Sequence, residues 1–313
     1  MGTMKRKTKK GKGAGSGLDM DAVRRRIETE NLMGKDMFSA VFSDREIFVD
    51  LVRDVTGVAV SDLADIVITT ETGFKPFEDS VEVKCDVLGR CELLVANVEG
   101  QRETSGFPAE RMVYYACNLI CRQIQSARDY RDIVPVYVIV IYEDKAQPTS
   151  VMASGLDGFM RDERPLLNLV SVSLKGIDGD RDVKEDARVI LNMLKGPRTP
   201  ELADKLAGHN VPKEKTEGKI KRVNMLVAQR LAALSVNEEE TRMYNEYWTK
   251  EREESVMAAG VAEGMEKGKV EGKVEGLYVY AGMQPKRIAE LLGIPEKRVL
   301  DLIAAGNWIP LKN

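Results

Sequence analysis

The sequence predicts an α/β protein with a central mixed sheet of modest size and an all-helical C-terminal extension. Three observations carry this. Residues 64–98 hold several runs rich in β-branched side chains. VPVYVIVIY, Val134–Tyr142, is almost continuously apolar at strand length, the pattern of a strand buried on both faces. From about Asp182 onward the apolar spacing is helical throughout.

Residues 1–17 read as a disordered basic arm, Gly-rich and weakly attractive to phosphate. Residues 18–57 read as two helices. The first, Asp19–Thr29, is amphipathic; in the second, Phe38, Val41, Phe42, Ile47, Leu51 and Val52 recur at helical spacing, up to Gly57 as C-cap. Ile66–Thr69, Val81–Val87 and Glu92–Val98 read as strands, the last two forming a hairpin with its turn at Gly89-Arg90. Ala109–Arg128 reads as a helix with Met112, Tyr115, Ala116, Leu119, Ile120 and Ile124 on one side, and Leu166–Leu174 as a further strand. The core is thus expected over 18–200, followed by a helical region over 201–276 and a terminal hairpin over 277–313.

Within that helical region Gly260, Gly264, Gly268, Gly272 and Gly276 recur every four residues. Each costs about 1 kcal/mol against Ala in a helix. The stretch is either a charged, partly helical linker or a helix whose smooth face admits another backbone in self-association, giving a homo-oligomer through the C-terminal helices. In the last segment Pro285 and Pro295 each start a short helix and Gly293 ends the first, a helix-turn-helix-like unit. Such a unit docks on another chain, or it places Lys297 and Arg298 in a DNA major groove.

Composition removes several classes of function. Of 313 residues, 43% are apolar, which excludes disorder over the full length. No run approaches the roughly 18 apolar residues of a membrane helix, so no membrane partner is expected. The basic N-terminus has no apolar stretch behind it, so it is not read as a secretory signal, and a cytoplasmic location is expected. A net charge of −3 gives no global basic surface, so contact with DNA must run through local patches. His209 is the single histidine, which rules out HExxH and three-histidine metal sites, and no nucleophile elbow accompanies it. Cys85, Cys91, Cys117 and Cys121 contain no CxxC pair; they read as reduced thiols, with a zinc site built from both pairs as the alternative.

The informative spacing is DVLGRCELLVANVEGQ, residues 86–101. Glu99 and Gln101 are two apart at the end of the second hairpin strand, hence on one face, and the hairpin can bring Asp86 beside them. Two such carboxylates suit Mg²⁺, which is held through one or two acids and otherwise by water and phosphate. Gln101 can orient the attacking water or a phosphate oxygen. By itself the spacing is also that of ordinary solvent-facing charges at strand ends.

With its surroundings, this stretch resembles the recombination-promoting nuclease and transposase family, a branch of the PD-(D/E)xK nuclease superfamily. The resemblance begins at KDMFSAVFSDREIFVDLVRDV (35–55) and runs through the D…ExQ hairpin. It continues in ERMVYYACNLICRQIQSARDYRDIVPVYVIVIYE (110–143), where Arg111, Tyr115, Gln123, Tyr130, Pro135 and Val136 fall at the family's positions. The order and combination of these blocks carry it, rather than any one motif. It implies a restriction-endonuclease-like core and metal-dependent phosphodiester hydrolysis on DNA, with Mg²⁺ as cofactor and Mn²⁺ as its substitute. By that resemblance Asp86 and Glu99 are the metal ligands and Gln101 takes the place of the motif lysine. Asp36 and Glu46 are candidates for an accessory acid, and Arg111 for a phosphate clamp. There are departures: Cys85 stands where the superfamily name has Pro, and Gly100 stands where an apolar strand residue is usual. A glycine there either lets a ligand approach closely or marks loss of activity. Two further readings compete with the endonuclease: a catalytically inactive DNA-binding or assembly protein on the same fold, and a helical scaffold with no affinity for DNA.

Overall fold

The computed structural model describes residues 19–75, 78–103, 109–126, 130–144, 151–155, 160–161, 164–178, 183–280 and 283–306. The basic arm expected over 1–17 lies outside the described residues. Helix α1 (Met20–Thr29) starts where the Asp19 carboxylate accepts the Ala22 N–H at 3.2 Å. The single helix expected next is divided into α2 (Lys35–Phe42) and α3 (Arg45–Thr56). The cause is Asp44, whose carboxylate accepts the N–H groups of Glu46 and Ile47 at 3.1 and 3.2 Å and so starts a new helix. Gly57 ends α3, as its position implies.

Strands β1 (Val67–Phe74), β2 (Val83–Arg90) and β3 (Val95–Gln101) follow. The hairpin turn is not at Gly89-Arg90 but four residues long, over Cys91–Leu94, closed by the Cys91 N–H on the Leu94 carbonyl at 3.0 Å. Gly89 is a strand residue because the Phe48 ring lies against it; a Cβ there would come within 2.5 Å of that ring. Tertiary packing from α3, not turn geometry, explains this glycine.

Helix α4 (Ala109–Ser126) leads to β4 (Val136–Tyr142), all seven residues of which are buried. Then come β5 (Val151–Gly155), the short ribbon β6 (Met160–Arg161) and β7 (Arg164–Pro165), and β8 (Leu167–Ser173). The main sheet is six-stranded and mixed, in the order β1-β2-β3-β4-β8-β5. β1, β2 and β3 form an antiparallel meander, β3-β4 and β4-β8 are parallel, and β5 returns antiparallel on β8. Strand β5 is an addition to the reading of the sequence.

Among the described residues, helices then follow without interruption by strands: α5 (Glu185–Lys195), α6 (Pro200–Ala207), α7 (Lys213–Leu234), α8 (Glu238–Glu275), α9 (Pro285–Leu292) and α10 (Glu296–Gly306). Gly260, Gly264, Gly268 and Gly272 all lie within α8. The chain divides into two compact units, one reaching to Trp248 and one starting at Thr249. In the first, alternate residues of β4 face two cores. Val136, Val138, Val140 and Tyr142 meet Met112, Tyr115 and Leu119 of α4. Tyr137, Ile139 and Ile141 belong to the larger core with α1, α2, α3 and α5. That core takes in Ala203, Leu206, Val223 and Val227, so α6 and α7 complete this unit beyond residue 200. At about 25 cal/mol per Å² of apolar surface, burial on both faces makes β4 the anchor of the sheet. Among the described residues no helix is long and apolar enough to cross a membrane.

Candidate active site

The site forms where β2 and β3 part. Their ladder runs from Arg90↔Val95 to Val87↔Val98 and goes no further. Beyond it, side chains take over the backbone's hydrogen bonds. The Glu99 Oε1 atom accepts the Asp86 N–H at 3.1 Å, and the Asp86 Oδ2 atom accepts the Gly100 N–H at 3.1 Å. Two residues further along β2, the Tyr115 hydroxyl accepts the Lys84 N–H at 3.2 Å and donates to the Lys84 carbonyl at 3.1 Å. Buried backbone donors must find acceptors, and here they find the two acids and a phenol. Asp86 therefore sits within β2 rather than at its end, as the sequence had suggested, but at the end of its pairing with β3.

Glu99 is 1% exposed, and its Oε1 atom also accepts the Asn97 Nδ2–H at 2.8 Å. The Asn97 Oδ1 atom is buried with no hydrogen-bond partner among the described residues. Burial pushes the Glu99 carboxyl up to about 8, and the neighbouring Asp86 charge pushes the same way. Burial raises Asp86 as well, against the Gly100 N–H and the charges of Arg111 and Lys35. Two desolvated acids this close do not both carry a full charge at neutral pH without a cation to compensate them.

A cleft of about 590 Å³ opens in front of the pair, lined by Lys35, Phe38, Asp86, Gly100, Gln101 and Arg102 among others. Asp86 and Gln101 thus reach one open space, while Glu99 lies behind them. Gly100 is required by the wall of this cleft: a Cβ on it would stand 2.8 Å from the Phe38 ring. Gly100→Ala is expected to cost about 1–3 kcal/mol in urea unfolding through overpacking. Combining it with Phe38→Leu should recover part of that loss; equal losses in both variants would show that the ring is not the obstacle.

Arg111 lies at the site. Its Nη2–H donates to the Tyr115 hydroxyl at 2.9 Å, and its charge lowers both acids. Asp36 and Glu46 are held elsewhere by cations of α7. Asp36 pairs with Arg230 at 2.5 Å; Glu46 pairs with Arg222 at 2.9 Å and Lys219 at 3.7 Å. Reading the sequence missed Lys35, which opens α2 and brings an ammonium to the cleft. It pairs with Glu71 at 3.0 Å. Glu71 stands across from Asp86, between the pairs Thr70↔Val87 and Thr72↔Cys85, with φ +52°. No local spacing links Lys35 to Asp86. The Arg111–Tyr115 pair, by contrast, has the i,i+4 spacing of one helix face.

Among the described residues no group of three or more His, Cys, Asp and Glu side chains converges as a metal site. A metal held here would have to draw on the two carboxylates, with amide oxygens and water. That all-oxygen set fits a hard cation such as Mg²⁺, as does the unpartnered Asn97 oxygen beside Glu99. All four cysteines are free; Cys85 is buried, and burial pushes its thiol up. Compared with known proteins, the chain matches no family model, no curated protein and no solved structure.

Proposed function

We propose that the chain is a Mg²⁺-dependent DNA endonuclease with a restriction-endonuclease-like core. The observation that supports it most is the pairing of Asp86 and Glu99 at the parting of β2 and β3, with Asp86 and Gln101 opening on one cleft. Asp86 and Glu99 would hold the ion, with Mn²⁺ as a substitute. When bound, the ion polarises a phosphoryl oxygen and lowers the pKa of an attacking water. Gln101 orients that water through its amide, as a neutral donor and acceptor. The water oxygen bonds to phosphorus as the bond from phosphorus to the departing sugar oxygen breaks; the attacking water gives its proton to solvent, and the departing oxygen takes one from solvent water. Lys35 and Arg102 draw the phosphate backbone to the cleft, and Arg111 steadies the buried acid through its charge. The test is nicking of supercoiled plasmid with Mg²⁺, with Mn²⁺ and with EDTA. Nicking that persists in EDTA overturns the proposal.

One observation favours a second reading. Glu99 is enclosed and already accepts two hydrogen bonds, a state that also suits an inactive DNA-binding or assembly protein on this fold. Salt-sensitive DNA binding with no cleavage under any divalent metal would select that reading.

A further inference from the structure

The second unit has a small core of its own. Val274 of α8, Ile288 and Ala289 of α9, and Val299 of α10 are buried together, with Val270, Leu277, Ile294, Leu302 and Ile303 packed around them. Only Gly293, Ile294 and Pro295 separate α9 from α10. Gly293 takes φ +63°, which a side chain would strain, and its N–H returns to the Ala289 carbonyl. The Ile294 N–H reaches the same carbonyl at 3.1 Å. Small Ala289, left-handed Gly293 and inward Ile294 and Val299 thus fix a tight turn between two short helices that share one core.

That core fixes what α10 presents. With Val299 inside, Lys297, Arg298, Leu300 and Asp301 are exposed. Lys286, in the first turn of α9, is exposed too. Among the described residues, no ion pair or hydrogen bond engages the side chains of Lys286, Lys297 or Arg298. The acid Glu290, in contrast, is taken up by Arg287 at 2.9 Å. Cations with no partner among the described residues therefore stand in the first turns of α9 and α10, where the helix dipoles are also positive. Glu296 and Asp301 remain as acids on α10, so the surface is mixed rather than uniformly basic. Leu300, one turn on from Lys297, adds an apolar surface of the kind a thymine methyl accepts.

We propose that this unit binds duplex DNA with sequence preference, the first turn of α10 entering the major groove with Lys297 and Arg298 at its tip and Lys286 on the adjoining backbone. The inference does not rest on cleavage by the first unit. The test uses the full chain in EDTA, with a pool of random-sequence duplex oligonucleotides as probe and repeated selection. Enrichment of a short common sequence is expected. Lys297→Ala with Arg298→Ala should weaken binding of the enriched duplex tenfold or more. It should also relax the preference at the bases they contact, whereas Lys286→Ala should weaken all duplexes alike and flatten the dependence of log affinity on log salt by about 1. Lys297→Gln with Arg298→Gln is the second variant, and both should keep the helical circular-dichroism signal. Asp86→Ala should retain the preference, which separates this surface from the cleft. An unenriched pool, or a double variant that binds as the parent does, overturns the proposal; binding to a protein and not to duplex does the same. Absence of plasmid nicking would count against the cleavage reading alone.

Discussion

Asp86→Asn is expected to lower Mg²⁺-supported plasmid nicking by about three orders of magnitude and to leave the protein folded. The asparagine oxygen can still accept the Gly100 N–H, so the parting of β2 and β3 keeps its shape. What disappears is one of the two carboxylates proposed to hold the ion. A loss of about 4 kcal/mol of transition-state stabilisation corresponds to that factor. Stability should hold or rise slightly, because a like charge next to Glu99 has been removed. The measurement is initial nicking rate across a Mg²⁺ series, with thermal unfolding alongside. A variant that nicks at the parental rate removes Asp86 from the chemistry and the site with it.

The second large effect concerns pH. Glu99 has an ordinary value of 4.5 and is held at about 8 in the fold. Below 4.5 the side chain keeps its proton whether the chain is folded or not. Between 4.5 and about 8 the unfolded chain releases the proton and the folded chain retains it. The folded state then binds more protons, so stability falls as pH rises through that window and levels off above it. Asp86, raised by the same burial, acts in the same direction. At 1.36 kcal/mol for each unit of difference, discounted for relaxation of the pair, the fall is about 2–4 kcal/mol. The melting temperature should therefore drop by roughly 5–10 °C between pH 5 and pH 8. Glu99→Gln should flatten the curve, because a neutral amide of the same shape has nothing to titrate. Mg²⁺ that binds the ionised pair should restore stability at pH 8 in the parent protein and not in this variant. A melting temperature in the parent that is constant or rises over the window would contradict the enclosed state of the acid.

How much of this was legible beforehand depends on how local each signal is. Strand β4 and helix α4 follow from apolar runs and helical spacing that need no partner to be read. The adjacency of Asp86 and Glu99 follows from a hairpin, whose register makes distant numbers neighbours. Gly89 misled because its reason lies in Phe48, a ring on another element. The break between α2 and α3 did have a local cause, the cap at Asp44, but continuous apolar spacing across it concealed the restart. Asp36 and Glu46 looked available because their partners, Arg230, Arg222 and Lys219, come from α7, far along the chain. Lys35 entered the cleft for the converse reason: only the packing of α2 against the sheet brings it there.

The substitution of carboxylates for strand carbonyls has a consequence for amide hydrogen exchange. In a regular sheet, the N–H groups of Asp86 and Gly100 would be protected by the ladder and would open only with it. Here each is guarded by an acid from the opposite strand. Whatever recruits those acids for another purpose, or neutralises them, leaves the two amides open to solvent deuterium while β4 stays closed. The exchange rates of these two protons are a spectroscopic gauge of how the site is engaged, readable without any turnover.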